Sequence, residues 1–151
     1  MADEIVFLGR HDETLDTGGT FTLPDEWRSG IADERVVYIL PDRSERCLNL
    51  VPGAVMEREL ANIPKTADSE SVDLEALKVI GEAMYRVVVD DEWRIEIPQR
   101  LREWLELADE VALVGSIRMI KIWAKSALDE MEVHEEFEKL LEVEEGVKSH
   151  G

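Results

Sequence analysis

Short runs of apolar and β-branched residues, one of them alternating with polar residues, recur along the chain and predict a protein built mainly from short β-strands. In the first half, such runs predict strands at Glu4–Leu8, Thr20–Leu23, Arg35–Leu40 and Cys47–Val51. In the second half, they predict strands at about 84–90, 93–97, 110–114 and 118–123. Each half therefore offers four short strands, which are barely stable as an isolated unit.

Helices are predicted between and after these strands. Pro24, followed by Asp25 and Glu26, is typical of the first turn of a helix, and this short helix ends near Gly30. Further helices are predicted at 52–61, from about 71 to 84, at 98–106, and after residue 125. The last of these is long and amphipathic, with apolar residues on one face and mostly glutamate on the other.

The second half of the chain repeats the first about 74 residues later. Residues 15–24 correspond to residues 89–98, and with this shift Asp16 falls on Asp90, Pro24 on Pro98 and Arg28 on Arg102. The repeat continues with small gaps, because residues 32–34 and 108–110 are both Ala-Asp-Glu, and strand 47–51 corresponds to 119–123. Such a repeat predicts two copies of one β-rich unit that interleave around a pseudo-twofold axis and bury a common core.

Acidity is the strongest feature of the composition. The formal net charge is -18, and residues 129–145 contain nine acids and one lysine, a net charge of -8. This acidity favours solubility and disfavours nonspecific binding to nucleic acid. The single cysteine, Cys47, excludes an internal disulfide and fits a reducing compartment. No apolar run approaches the ~18 residues of a membrane span. The N-terminal residues Met-Ala-Asp-Glu are acidic and lack the basic region of a signal peptide.

The sequence contains no convincing set of catalytic or metal-binding residues. The three histidines are scattered, and the cysteine has no partner that would make it a nucleophile. The run Asp90-Asp91-Glu92 resembles a metal site only superficially, since adjacent strand residues point to opposite faces. We therefore expect no enzyme, no metal, no cofactor and no small-molecule substrate.

The order, spacing and duplication of several motifs resemble the MraZ family of bacterial regulators, over roughly residues 5–128. The first half carries Phe7-Leu8-Gly9, then Leu15-Asp16-Thr17-Gly18-Gly19-Thr20, and Cys47-Leu48-Asn49-Leu50-Val51-Pro52. The second half carries Asp90-Asp91-Glu92-Trp93-Arg94, then Leu101-Arg102, Val111-Ala112-Leu113-Val114-Gly115 and Lys121-Ile122-Trp123. No single motif is decisive, but together they are quite specific.

The resemblance implies an α+β, mainly β fold of two AbrB-like swapped-hairpin repeats, which form a small pseudo-twofold β-barrel core with flanking helices. It divides the chain into a first repeat with its helix (1–64), a linking helix (65–84), a second repeat (85–128) and an acidic C-terminal helix or tail (129–151). It also implies a cytoplasmic, nucleoid-associated repressor that forms ring-like homo-oligomers, binds direct-repeat DNA operators and regulates division and cell-wall genes.

The family's Asp-x-Lys-Gly-Arg turn presents basic side chains to DNA, and this chain departs from it. Gly18 and Thr20 replace the lysine and the arginine in the first copy. In the second copy the arginine remains as Arg94, but Trp93 replaces the glycine. Glycine lets the backbone turn tightly, and we expect that tryptophan does not allow this turn. The resemblance places DNA contacts at Arg94, Trp93, Arg86, Arg10, Gly18, Gly19 and Thr20.

Each of these residues has a plainer interpretation. Arg94 is equally explained as a surface arginine paired with Asp90 or Glu92, and Trp93 as a contact to a partner chain. Arg10 and Arg86 are explained as solvated surface charges. The motif residues Asp16, Asp90, Arg28 and Arg102 are expected to be structural, with the two arginines hydrogen-bonded to acidic neighbours such as Asp16 and Asp90.

Two hypotheses from different classes follow. The first is an oligomeric DNA-binding repressor, in which repeated weak contacts combine through effective concentration. The second is a diverged family member that has lost DNA binding and serves as an oligomeric protein-interaction module, which the missing basic residues and the charge of -18 favour.

Overall fold

The computed structural model describes residues 7–66 and 81–132. Its strands are β1 (Arg10–Thr14), β2 (Thr20–Thr22), β3 (Val36–Pro41), β4 (Leu48–Pro52), β5 (Tyr85–Val88), β6 (Arg94–Glu96), β7 (Glu110–Gly115) and β8 (Ile120–Ala124). Its helices are a 3-10 helix (Asp25–Gly30), α1 (Gly53–Thr66), α2 (Gln99–Leu105) and α3 (125–132). The fold is thus α+β and mainly β, as predicted. The start of strand Glu4–Leu8, most of the linking helix and the C-terminal helix beyond 132 lie outside the described residues.

Six strands form one antiparallel sheet in the order β1-β7-β8-β4-β3-β5, and β2 and β6 form a separate two-stranded ribbon. The first strand of each half pairs with a strand of the other half, since Glu13 lies opposite Val111 on β7 and Val87 lies opposite Val37 on β3. These two registers are identical after a shift of 74 residues. No sheet among the described strands is closed, so the predicted barrel is not confirmed.

Two strand pairs lie on the pseudo-twofold axis. In the ribbon Phe21 pairs with Ile95, and in the main sheet Asn49 pairs with Lys121, so each residue faces its own counterpart from the other half. The strand registers also correct one alignment made from the sequence. The strand that follows Arg35 corresponds to the strand that follows Asp109, so equivalent residues of the two halves stay 74 positions apart in this region. The two Ala-Asp-Glu triplets, which the sequence alignment had matched, are therefore not equivalent in the structure.

The strand β1 was not predicted, because its sequence is almost entirely polar. It forms by pairing with β7 at the edge of the sheet, where one side of the strand has no partner strand. Charged side chains on an edge strand hinder pairing with other chains. The helix α1 also extends beyond the predicted end at Ala61.

The main hydrophobic core draws on both halves and lies between the ribbon and the large sheet. Its fully buried residues include Phe21 and Leu23 from the first half and their counterparts Ile95 and Ile97 from the second. Trp27 is 2% exposed in this core, and its indole N–H donates to the Leu8 carbonyl at 3.3 Å. Each half supplies one strand of the ribbon and three strands of the large sheet, so neither half completes this core alone, which explains why the two halves fold together.

A smaller cluster lies on the other face of the sheet, beneath α3. It consists of the buried residues Cys47, Ala112, Trp123 and Leu128. Within residues 7–66 and 81–132, no helix combines the length and the apolar character needed to span a bilayer.

Candidate nucleic-acid interface

The two aspartate motifs form nearly identical turns, called turn 1 (residues 16–20) and turn 2 (residues 90–94). In turn 1 the Oδ1 atom of Asp16 accepts hydrogen bonds from the backbone N–H groups of Gly18 and Thr20, both at 2.9 Å. In turn 2 the Oδ1 atom of Asp90 accepts from the equivalent N–H groups of Glu92 and Arg94, at 2.9 and 2.8 Å. Each aspartate therefore organises its turn in the same way, although the other residues of the two turns differ.

The fourth position of each turn requires a left-handed backbone. Gly19 has φ +79° and Trp93 has φ +63°, and both N–H groups donate to the aspartate carbonyl, at 2.9 and 3.0 Å. The expectation that tryptophan prevents a tight turn is therefore wrong. A left-handed non-glycine residue costs roughly 1 kcal/mol or more. Packing of the Trp93 ring against the main core offsets that cost.

Each turn is anchored to the other half of the molecule. The Gly19 carbonyl accepts from the N–H of Ile97 at 2.9 Å, and the Trp93 carbonyl accepts from the N–H of Leu23 at 2.8 Å. The turns therefore lie at the two ends of the ribbon. Together with the outward side chains of the ribbon they form one surface, called the ribbon face, whose outward residues are Thr20, Thr22, Arg94 and Glu96.

Arg94 is the cation at the end of turn 2, with its side chain 49% exposed. Its Nε donates to Asp90 Oδ2 at 2.8 Å, and Nη2 lies 3.6 Å from Glu92 Oε2. The backbone N–H of Arg94, then its guanidinium and the N–H of Glu92, hold the pKa of Asp90 below its usual value. The surface ion pair expected for Arg94 is thus present, and it leaves the guanidinium open to solvent.

Arg28 and Arg102 occupy equivalent places beside the turns, and Arg28 pairs with an acidic neighbour, Asp25, at 2.9 Å. The Nε atoms donate to backbone carbonyls, Arg28 to Leu23 at 3.0 Å and Arg102 to Ile97 at 2.8 Å. Neither has a described bond to Asp16 or Asp90. The Arg102 side chain also lies where a Cβ on Gly19 would be, so a larger residue at this position would have to displace that flexible side chain.

Arg10 and Arg86 are not brought to the turns. The guanidinium of Arg10 contacts three carboxylates, at 2.8 Å from Asp12, 2.5 Å from Asp129 and 2.7 Å from Glu132. It lies at the start of β1, and turn 1 follows the end of that strand. Arg86 lies on the edge strand β5 opposite Tyr38, is exposed, and has no salt bridge among the described residues.

One residue at the interface was missed by the sequence analysis. Arg35 places its Cζ 4.0 Å from the centroid of the Trp93 ring, and Arg28 approaches the same ring at 5.7 Å. Arg35 also donates from Nη1 to the Asp90 carbonyl at 3.1 Å. No local signal could reveal this contact, because Arg35 and Trp93 belong to different repeats and meet only through the pairing of β3 with β5.

Comparisons with known proteins agree with the motif resemblance. A family model described as "MraZ protein, putative antitoxin-like" matches residues 82–143. A protein of Caldicellulosiruptor saccharolyticus, named transcriptional regulator MraZ, is 32% identical over 124 residues, which is 80% of this chain and 82% of the relative. The chain belongs to the MraZ family.

Other MraZ relatives match over a similar or larger extent. The transcriptional regulator MraZ of Roseiflexus castenholzii is 30% identical over 122 residues, covering 79% of this chain and 81% of the relative. That of Desulforamulus reducens is 28% identical over 143 residues, covering 91% and 96%. The family assignment made from the motifs is therefore confirmed.

This MraZ family member also contains a polar cluster that the sequence did not suggest. Ligand atoms of Asp42, Glu45 and Cys47 lie within 4.8 Å of one another, a spacing that fits a metal ion. However, the Lys121 ammonium donates to Glu45 and lies 3.8 Å from Asp42 Oδ2, so a cation is already present. Burial, then the charge of Asp42, raises the pKa of Cys47 to about 12, which makes the thiolate a poor ligand here.

Proposed function

We propose that this protein is a DNA-binding transcriptional regulator that works as a homo-oligomer and uses the ribbon face. The observation that carries the proposal is the pair of turns with one hydrogen-bonding pattern, placed about a pseudo-twofold axis on one exposed surface. The family supports it, since the relatives are named transcriptional regulators. A regulator of this kind needs no catalytic residues.

The exchange of first strands between the halves supports a tandem swapped-hairpin unit within this proposal. We retain the division into repeats at 1–64 and 85–128, joined by residues 65–84, with an acidic tail from residue 129. The expected partners are direct-repeat operators beside division and cell-wall genes in the nucleoid.

The charge distribution makes the oligomer essential to the proposal. A single ribbon face offers Arg94 as its central cation, and Asp90 and Glu92 already contact it. Counterion release by cations dominates DNA affinity, so one subunit binds weakly. A ring repeats the same contact several times, and linked weak contacts add through effective concentration.

The test is a gel shift with DNA from upstream of the protein's own gene, across a salt series and against a scrambled duplex. The variant Arg94→Ala removes the central cation. Arg118→Ala is the matched control, because Arg118 is exposed in the β7–β8 hairpin turn, which follows the end of β7. Turn 2, which carries Arg94, follows β5, and the strands β8, β4 and β3 lie between β5 and β7 in the sheet.

Selective, salt-sensitive binding that Arg94→Ala reduces and Arg118→Ala preserves would support the regulator. Equal, weak binding to both duplexes would contradict it. The second candidate is the oligomeric protein-interaction module, which the acidic neighbours of Arg94 and the charge of -18 favour. It predicts no DNA retention even at low salt, where electrostatic attraction is strongest.

A further inference from the structure

Turn 2 gathers an arginine cluster that turn 1 lacks. Equivalent hydrogen bonds show that Arg35 beside turn 2 corresponds to Asp109 beside turn 1. The Val89 N–H donates to the Arg35 carbonyl at 2.8 Å, and the Leu15 N–H donates to the Asp109 carbonyl at 2.7 Å. Turn 2 is therefore surrounded by Arg28, Arg35, Trp93 and Arg94, where turn 1 has Arg102, Asp109, Gly19 and Thr20. The pseudo-twofold molecule thus carries three arginines at one turn and one at the other.

Trp93 organises this cluster. Its left-handed backbone and its contact with the core hold the ring in one place, with Arg35 at 4.0 Å from the ring centroid and Arg28 at 5.7 Å. A guanidinium that stacks on an aromatic ring is less hydrated than a free one and keeps its in-plane N–H donors available. The residue that replaces the family's glycine therefore fixes two cations beside Arg94.

Arg35 has the most unused donors in the cluster. A guanidinium has five N–H donors, and the contact described for Arg35 uses one of them, on the Asp90 carbonyl. Within the described part of the chain, no carboxylate forms a salt bridge with Arg35, whereas Arg28 pairs with Asp25 at 2.9 Å. Asp25 is 89% exposed, and such surface pairs contribute little and exchange readily. The cluster can therefore turn its donors toward an external anion.

We propose that turn 2 is the phosphate-binding end of each subunit, with Arg35, held over the Trp93 ring, as a direct phosphate contact and Trp93 as its positioning residue. A planar guanidinium matches the geometry of phosphate oxygens through paired hydrogen bonds. This inference rests on the proposed DNA function, in which the phosphates belong to the duplex backbone. The same chemistry would also accept a free polyphosphate, so the test includes both sources.

The experiment measures how the affinity for the upstream duplex falls with salt, because each lost phosphate contact reduces the slope of log affinity against log salt by about 0.9. We expect Arg35→Gln to reduce the slope by about 0.9 for each bound subunit, while the matched charge change Arg118→Gln leaves it unchanged. Trp93→Phe should keep the wild-type slope, and Trp93→Gly should reduce it as Arg35→Gln does. Circular dichroism of each variant separates these effects from unfolding.

The outcomes distinguish this inference from the function on which it rests. Selective duplex binding with an unchanged slope in Arg35→Gln would overturn the phosphate contact and leave the regulator intact. Binding of tripolyphosphate but of no duplex, lost in Arg35→Gln, would support the anion site and overturn the DNA function. Failure of the folded wild-type protein to bind either probe would overturn both.

Discussion

Asp42 gives the sharpest test of the energetics beside the pseudo-twofold axis. Its Oδ1 accepts from the backbone N–H groups of Ser44 and Glu45, both at 2.9 Å, and its Oδ2 accepts from Asn49 Nδ2 at 3.0 Å. Lys121 lies 3.8 Å away. The variant Asp42→Asn keeps the size of the side chain but removes its charge and replaces one acceptor oxygen, such as the Oδ2 atom that accepts from Asn49, with a donor.

The magnitude follows from the pKa. Burial acts to raise the pKa of Asp42, but the N–H groups of Ser44 and Glu45, the amide of Asn49 and the charge of Lys121 outweigh it and lower the pKa from 3.8 to about 2. That difference corresponds to about 2 kcal/mol of folding free energy at neutral pH. Because the side chain is only 12% exposed, solvent screens this contribution little.

The sign of the pH dependence is set by a folded-state pKa below the unfolded value. The contribution of Asp42 is fully present above about pH 4, falls to about half near pH 3, and disappears as the pH drops through about 2. We therefore expect Asp42→Asn to lower the free energy of unfolding by about 2 kcal/mol at pH 7 and by about half of that at pH 3.

Urea denaturation at a fixed protomer concentration measures both values, since an oligomer's stability depends on concentration. Asp33→Asn is the control, because Asp33 is exposed and forms no described salt bridge, and it should change stability by less than about 0.5 kcal/mol. A difference between wild type and Asp42→Asn that is below about 0.5 kcal/mol at pH 7, or equal at pH 7 and pH 3, would refute the reasoning.

Three further outcomes are expected elsewhere in the molecule. In Gly115→Val, the new Cβ would meet the backbone of Phe7, so we expect thermal denaturation to show a free energy of unfolding lower by roughly 2 kcal/mol or more. An unchanged stability would contradict this close approach of the two backbones. Cys47 is fully buried with a pKa of about 12, so a thiol reagent should label it only after unfolding, and rapid native labelling would be inconsistent with this burial. Arg10→Met removes ion pairs with partly exposed carboxylates, so it should lower the free energy of unfolding by less than about 1 kcal/mol. Hydrogen exchange in residues 125–132 should become faster. Unchanged exchange would show that these ion pairs do not hold α3 in place.

Much of the architecture could be predicted from local sequence. The apolar, β-branched run Arg35–Leu40 predicted the strand found at Val36–Pro41, and Pro24 and Pro98 predicted helix starts that the structure contains. The repeat itself was visible because Asp16 and Asp90 make the same hydrogen bonds within a few residues of themselves. Turn chemistry of this kind is short-range, so it leaves a signature in adjacent residues.

Other features had no such signature. The polar segment Arg10–Thr14 is a strand only because β7 supplies its hydrogen-bonding partners. Trp93 tolerates a left-handed backbone only because the core and Arg35 hold its side chain. A propensity-based expectation fails at both places, since tertiary contacts outweigh preferences of about 1 kcal/mol.

The sequence by itself determined the mainly β class, the tandem repeat, the two aspartate turns and the family, because each depends on periodicity or on contacts between near neighbours. Only the tertiary structure decided that Arg10 faces carboxylates of α3, that Arg35 stacks on Trp93, and that Asn49 faces Lys121. These partners come from different halves of the chain. Their meeting is set by strand pairing and register, which are properties of the paired sheet and not of any local segment.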